Sequence, residues 1–478
     1  MKFHFFTTLL IAMLTLRLAH AQIPEQADVV IVGAGLSGLA TAFGLKKAGI
    51  KFHVLELAPR IGGRTSSVRY KREGKPDLVA DSGMEEYWQG NPGLAILKDL
   101  GLPLEEGIAA SSIILEKRLN PLGDESTLEF KKSILSKDEF KALMDFEKKV
   151  SPLLNELLGH KAGPETLKLK DQSFADYVLG FKMPKKTSDW IRVSVECEIG
   201  ASWDKTNALD GILEYRLFIH DGRLNYRVIG GNQLFVEALA DAAGRENISL
   251  NKRVTRVVSE GAGVKVYFLD SQTGNIEIIR ASHVVSTIPL FRIFQVQFEP
   301  PLSAEKQKAV DSMSYGSYFK VHALVPKNTE RYWTSAGHSS LPILTDNDLG
   351  VVYQGDTGQG SDTFIVSLLI FGNTAEGYNL MPADEVRQNV KAGFERLWPG
   401  FSKEIQEIHF YPFHPRAIPA WPPGRSSFDE LSDEIRRPEN RVYLAGDYTE
   451  TSHSDGAFLS ADRVVRQILE QRQNDSSK

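Results

Sequence analysis

The sequence predicts an α/β fold, a parallel-sheet unit with an α+β unit beside it, and three observations carry this. Residues 27–32 are a continuous, mostly β-branched run that passes through a glycine turn into a helix-periodic stretch, and residues 52–56 are a second apolar run directly after it. Unbroken apolar strands belong to sheets covered by helices on both faces. Residues 136–158 and 187–202 carry apolar side chains at three- and four-residue spacing with charged opposite faces, the pattern of helices, and residues 96–220 read as helical throughout. Residues 319–325 and 364–370 read as strands and 383–397 as a helix, so the region from 301 to 435 is mixed.

Composition bounds the function. The 478 residues are 42% hydrophobic and 24% charged, the balance of a globular chain, which excludes a disordered, collagenous or multi-pass membrane protein. Cys197 is the sole cysteine, so neither an intramolecular disulfide nor a thiolate metal cluster can form. The histidines are scattered without metal-ligand spacing, and a net charge of -5 argues against a general nucleic-acid surface.

The chain opens with an address. Lys2, a short apolar run over residues 5–16 and Ala19-His20-Ala21 read as an export signal over residues 1–21, with Gln22 starting the mature chain. An N-terminal anchor or a buried strand is the alternative. The run is too short to span a bilayer comfortably, so the expectation is an exported protein, periplasmic or secreted, with no stable membrane anchor. No cysteine follows the cleavage point and no arginine pair precedes it, which disfavours lipidation and twin-arginine export.

The turn after the first strand is Gly33-Ala34-Gly35-Leu36-Ser37-Gly38. Gly33 permits the tight turn, Gly35 lets a pyrophosphate approach backbone N–H groups, and Gly38 lets the helix pack on the strand. The helix N-terminus adds partial positive charge. Glu56, at the end of the second strand, can accept from both ribose hydroxyls and would repel a 2′-phosphate, so NADP is disfavoured. Strand, turn, helix, strand and acid together predict a Rossmann-like dinucleotide site. Arg60-Ile61-Gly62-Gly63-Arg64-Thr65 follows at once. Its glycine pair brings backbone close again, and Arg64 is either a forked cation for a phosphate or flavin dipole or a solvated surface arginine.

From Val29 to Thr65 the chain resembles the flavin amine oxidase superfamily, which includes monoamine, polyamine and L-amino-acid oxidases and, more distantly, protoporphyrinogen oxidase and carotenoid desaturases. The resemblance recurs at Asp81-Ser82-Gly83-Met84, at Gly230-Gly231 through Leu239 and Val254, and at Val284-Val285-Ser286-Thr287-Ile288-Pro289. It recurs again at Phe298-Glu299-Pro300-Pro301-Leu302, at Val442-Tyr443-Leu444-Ala445-Gly446-Asp447-Tyr448-Thr449 and at Gly456-Ala457. It implies an FAD-binding domain assembled from residues 22–95, 221–300 and 436–473, and a substrate-binding domain from 96–220 and 301–435. The cofactor residues it implies are Gly33, Ala34, Gly35, Ser37, Gly38, Glu56, Gly62, Gly63, Arg64, Gly83, Met84, Val254, Gly446, Asp447, Gly456 and Ala457.

The resemblance also implies the chemistry. A hydride passes from the α-carbon of a neutral amine to flavin N5, water hydrolyses the imine, and dioxygen as acceptor gives hydrogen peroxide; small-molecule amines are the partners. Lys320 matches the lysine that the amine oxidases keep near N5, holding a water there. Spacing alone leaves a snorkelling lysine on an edge strand open, with Val321, Ala323 and Val325 facing away from it. Residues 413–424 hold no cysteine, so FAD is expected to be non-covalent. The family's tyrosine pair is incomplete: Trp421 and His453 stand as candidate walls, with core packing and a surface histidine as the alternatives. Where L-amino-acid oxidases carry an arginine, this chain has Glu85 and Glu86, which favour a cationic amine or polyamine. A helix-capping Glu85 and a solvated Glu86 are the other reading. The alternative activity is a desaturase or porphyrinogen oxidase acting on a hydrophobic substrate.

Overall fold

The computed structural model describes residues 23–476 except 109–110, 124, 160, 335–340, 346–347 and 357. The expected signal and Gln22 lie outside the described residues. So do residues 477–478, while the helix Ser454–Ser476 runs to the end of the described chain.

The first sheet is built around the strand Gln26–Val32. It pairs in parallel with Phe52–Leu55 on one side and with Ile276–Ser286 on the other. Val442–Leu444 adds in parallel to Ile276–Ser286 from the far end of the sequence. Val29 and Ile31 pack into one core and Val30 and Val32 into another. Both faces are therefore covered, which is why the run is apolar without alternation. Each such side chain contributes about 1.5–3 kcal/mol of burial. The helix Leu36–Lys47 is sandwiched between Gln233–Ala243 and Ser454–Ser476 on one face.

The second sheet runs in the order Glu407–Ala420, Ser314–Pro326, Thr363–Phe371, Val351–Gln354, Ile343–Leu344, Ser112–Leu115, Arg118–Asn120. Ser314–Pro326 is hydrogen-bonded on both sides, so Lys320 is not on an edge strand. Val321, Ala323 and Val325 do face away from Lys320, but into a core shared with Val386, Val390 and Phe394 of the helix Ala383–Leu397. Lys320 and His322 point the other way, toward Asp81.

The span 96–220 is helical in the end of Gly93–Asp99 and then from Thr127 onward; between them Leu104–Ile108, Ser112–Leu115 and Arg118–Asn120 are strands. The hairpin between the last two turns on Glu116 and Lys117, both at positive φ. Such turns normally carry Asn or Gly, so the sequence holds no hairpin signal there. A three-stranded sheet of Tyr87–Trp88, Leu224–Val228 and Leu104–Ile108 stitches across the expected boundary at residue 95. The helix Lys137–Leu158 starts at a reciprocal Ser136–Glu139 capping box. Among the described residues no helix is long and apolar enough to cross a membrane.

Two contacts place the helix Lys185–Ile199 over the site. It ends on Gly200 at φ 62, whose carbonyl accepts from the N–H groups of Ser317 at 2.8 Å and Gly372 at 3.1 Å. Tyr318 donates its hydroxyl to the carbonyls of Cys197 at 2.9 Å and Glu198 at 2.6 Å.

Candidate active site

One cavity of about 580 Å³ runs between the two sheets, from Glu56 at one end to Lys320 and His453 at the other. It lies within the size range of small-molecule sites.

The nucleotide end is made of backbone. Gly33 has φ 107, and a Cβ there would meet Thr287 Oγ1 at 2.6 Å. A Cβ on Gly38 would sit 2.0 Å from the Gly33 carbonyl, so this glycine permits the helix to close on the turn. A Cβ on Gly35 meets only Gly63 Cα, at 4.0 Å, and Gly35 lines the cavity, so its missing side chain leaves room for a ligand. The second glycine pair is tied to the first turn by the Gly62 N–H donating to the Ala34 carbonyl at 2.7 Å. Glu56 accepts from the N–H groups of Ala34 at 2.6 Å and Ala58 at 2.8 Å, which fixes its carboxylate at the cavity mouth. Two facing glycine turns, a helix N-terminus and an acid fit a dinucleotide.

Gly33, Gly35, Ser37, Glu56, Gly62, Gly63, Arg64, Gly83, Met84, Val254, Gly446, Asp447 and Ala457 line the cavity. Three of the expected cofactor residues stand behind the wall. Ala34 is buried with its N–H on Glu56, Gly38 packs on Gly33, and a Cβ on Gly456 would strike the Thr451 carbonyl at 2.2 Å. Arg64 is not a free surface arginine: though partly exposed at the cavity, it donates to Asp447 at 2.8 Å and to the Ala417 carbonyl at 2.7 Å. Burial opposes its charge, yet Asp447 holds the guanidinium above its usual value.

The other end is a charged chamber. Lys320 is 1% exposed. Its ammonium donates to the carbonyls of Asp81 at 3.2 Å and Gly83 at 2.7 Å and to the Glu85 carboxylate, which uses all three N–H groups. Glu85 also accepts from the Tyr353 hydroxyl at 2.7 Å. Glu86 accepts from Asn225 and pairs with Arg227 at 3.6 Å, while Arg227 lies over the Tyr353 ring. Glu85 therefore does not cap a helix, Glu86 is not solvated, and both are already partnered. Burial and then Lys320 lower His322 to about 3, so it is neutral. Its Nε2 faces the Asp81 carbonyl at 3.1 Å and must carry the proton, leaving Nδ1 to accept from Tyr70 at 2.6 Å.

His453 lines the chamber with Nε2 2.6 Å from Glu214 and 3.8 Å from Glu198. Burial opposes its charge, but Glu214, Glu198 and Asp455 raise it to about 9. It is thus a buried cation and not a surface histidine. Trp421 is not brought to the cavity. It is 2% exposed and donates its indole N–H to Ser432 at 3.1 Å, because the chain turns from the sheet toward the helix Glu430–Arg436 at that point. The aromatic wall is made instead by Trp88, Phe218, Tyr318 and Tyr353.

The geometry defines an oxidoreductase-type site, a dinucleotide groove opening directly onto a substrate chamber. The chain belongs to the family of flavin-containing amine oxidoreductases, whose model matches residues 36–469. It is an FAD-dependent oxidoreductase of amines. It is 23% identical over 94% of its length to a Dictyostelium discoideum protein named "Probable flavin-containing monoamine oxidase A", covering 98% of that protein. It is 25% identical over 93% of its length to an L-amino-acid oxidase of Siganus canaliculatus, covering 85% of it. In fold it is similar to putrescine oxidase, with a TM-score of 0.80 at 22% identity over 93% of this chain and 99% of that one. It is also similar to cyclohexylamine oxidase of Brevibacterium oxydans, with a TM-score of 0.76 at 21% identity over 94% and 100% of the two chains.

Glu198, Glu214, Arg227 and Tyr353 are the site residues that sequence reasoning missed. Glu198 and Glu214 belong to helices whose periodicity marks faces, not cavities, and Tyr353 sits in a four-residue strand with no motif.

Proposed function

We propose that this chain is an amine oxidase for a cationic amine, with dioxygen as acceptor and hydrogen peroxide as product. The observation that carries this is the chamber wall: Glu85, Glu86, Glu198, Asn225, Arg227, Lys320 and His453 all line it. Burying so many polar and charged groups costs several kcal/mol each unless they are paired. Glu85, Glu86, Arg227, Lys320 and His453 are paired with one another or with neighbours, which leaves Glu198 as the open carboxylate; a hydrophobic substrate would leave it buried without a partner, which favours an amine over desaturase chemistry.

Bound FAD supplies the hydride acceptor and then the electrons for dioxygen. Residues 22–95, 221–300 and 436–473 form the Rossmann-like unit that holds it, and 96–220 with 301–435 form the substrate unit. Gly35, Gly62 and Gly63 would present backbone to the pyrophosphate and Glu56 would hold the ribose, while the Arg64–Asp447 pair fixes the wall between groove and chamber. FAD is held non-covalently. Residues 413–424 lack a cysteine, and burial pushes the Cys197 thiol up, away from a reactive thiolate. Lys320 is the catalytic candidate, and because its three donors are taken by Asp81, Gly83 and Glu85, holding the expected water requires it to release one of them, the Asp81 carbonyl at 3.2 Å being the longest. Glu85 and Glu86 are committed to Lys320 and Arg227, so Glu198 is the carboxylate that meets the ammonium. The mature protein is exported and begins at Gln22.

Anaerobic mixing of the purified, FAD-loaded chain with monoamines, polyamines and amino acids tests this. Bleaching of the flavin absorbance by a cationic amine, with peroxide on admitting air, is expected. A yellow protein that no amine bleaches would overturn the assignment.

A further inference from the structure

We propose that Glu198 takes the proton from the substrate ammonium, leaving the amine neutral for oxidation, and that His453, held by Glu214, keeps Glu198 ionised for that task. This rests on the amine-oxidase reading of the chamber.

The geometry singles out Glu198. Glu85 is bound by Lys320 and Tyr353, Glu86 by Asn225 and Arg227, and Glu214 by His453 and Ser452. Among the described residues the Glu198 carboxylate is approached only by Cys197 Sγ and His453 Nε2, each at 3.8 Å. Neither distance saturates its oxygens, so its lone pairs are open on the cavity wall. The residue is also rigidly placed, since Tyr318 holds its carbonyl and Gly200 locks the helix end to the neighbouring strands.

The surroundings suit a proton acceptor. The titratable groups facing Glu198 are Cys197 on its own helix, Tyr318 on the adjacent strand, Glu86, Glu214, Arg216 and His453. Burial raises both the thiol and the phenol, so they stay neutral. Burial also raises Glu198 to about 7, with Glu86 and Glu214 pushing the same way and His453 and Arg216 opposing. Glu214 is lowered to about 2, because His453 and Arg216 outweigh its burial. Around neutral pH, Glu214 and His453 are therefore fixed charges and Glu198 is the group that titrates. The step balances: one N–H bond of the ammonium breaks, one O–H bond forms on Glu198, and no electrons move. The proton leaves to solvent with the product.

The test is the pH profile of the limiting rate of anaerobic flavin bleaching, using the amine that bleaches the wild type best. Glu198→Gln is expected to slow bleaching at pH 7 by about 10²–10⁴-fold, with recovery as pH approaches the pKa of the amine itself. The acid limb then moves to higher pH. If Glu198 merely anchors the ammonium, its removal makes deprotonation easier and the limb moves to lower pH; that shift, or an unchanged profile, overturns the proposal. His453→Gln is expected to move the limb upward in the wild-type background and not in Glu198→Gln. Infrared difference spectroscopy with tert-butylamine, which has no α-hydrogen, needs no turnover: binding at pH 8 is expected to give the wild type a protonated-carboxyl band that Glu198→Gln lacks, and a wild type without that band overturns the proposal. A wild type bleached by no amine would instead overturn the amine-oxidase reading.

Discussion

Replacing Lys320 by Met keeps the side-chain length and removes every donor. The Asp81 and Gly83 carbonyls lose a partner, and Glu85 is left in the chamber wall with only the Tyr353 hydroxyl. Removing one partner of a buried ion pair costs about 3–5 kcal/mol, because the other charge stays desolvated. Against a total stability of about 5–15 kcal/mol, that is a large fraction. Glu85→Gln is milder: its amide oxygen still accepts from Lys320, and the cost expected is about 1–3 kcal/mol. The double variant Lys320→Met/Glu85→Gln removes both charges together, so it is expected to be more stable than the sum of the single losses by about 1–3 kcal/mol. Urea unfolding of all four proteins at one fixed FAD concentration measures this. A Lys320→Met cost below about 1 kcal/mol, or strictly additive single effects, would show that the pair does not form and that Lys320 is not held at the chamber by Glu85.

Three further outcomes follow from the geometry. Gly38→Ala drives a methyl to 2.0 Å from the Gly33 carbonyl, so the purified variant is expected to be colourless and destabilised by at least about 1–3 kcal/mol; a yellow variant of normal stability would sink the account of that turn. Trp421→Phe removes a buried indole hydrogen bond to Ser432, with an expected loss of about 1 kcal/mol and no change in the ranking of amines; an altered ranking would return Trp421 to the chamber. His453 is raised to about 9, so its stabilisation is complete below its ordinary value of 6.5 and fades as pH rises through about 9. The rise from 6.5 to about 9 corresponds to about 3 kcal/mol, the net of burial against Glu214, Glu198 and Asp455 together. Urea midpoints measured from pH 6 to 10 are expected to fall more steeply for the wild type than for His453→Gln, and parallel curves would mean that His453 is neutral in the fold.

Legibility followed the range of the physics. The glycine turn could be read because its tightest requirement is local: a Cβ on Gly38 is excluded by the Gly33 carbonyl within one βαβ unit, while the contact of Thr287 with Gly33 comes from a distant strand end and left no mark in the local sequence. The long helices could be read because one face must be buried at a 3.6-residue period. The Glu116–Lys117 hairpin could not, since neighbouring strands hold two residues at positive φ against their own preference. Lys320 was singled out by resemblance, while its alternation was compatible with either face of a sheet. What decided the face was the position of its strand, second from an edge and covered on both sides.

By itself the sequence determined the α/β class, the nucleotide turn with its acid and the family, because each rests on short-range geometry or on motifs repeated along the chain. Tertiary structure alone decided which carboxylates remain open. Glu85 and Lys320 are 235 residues apart, and Glu214 and His453 are 239 apart. Whether an acid is free to meet an amine depends on the partner that folding brings within about 3 Å, and desolvation then makes that partner obligatory. Glu198 is left open by this process of pairing: on its own helix Glu196 has a local partner in Arg192, four residues before it, whereas Glu198 has Ser194 at that spacing.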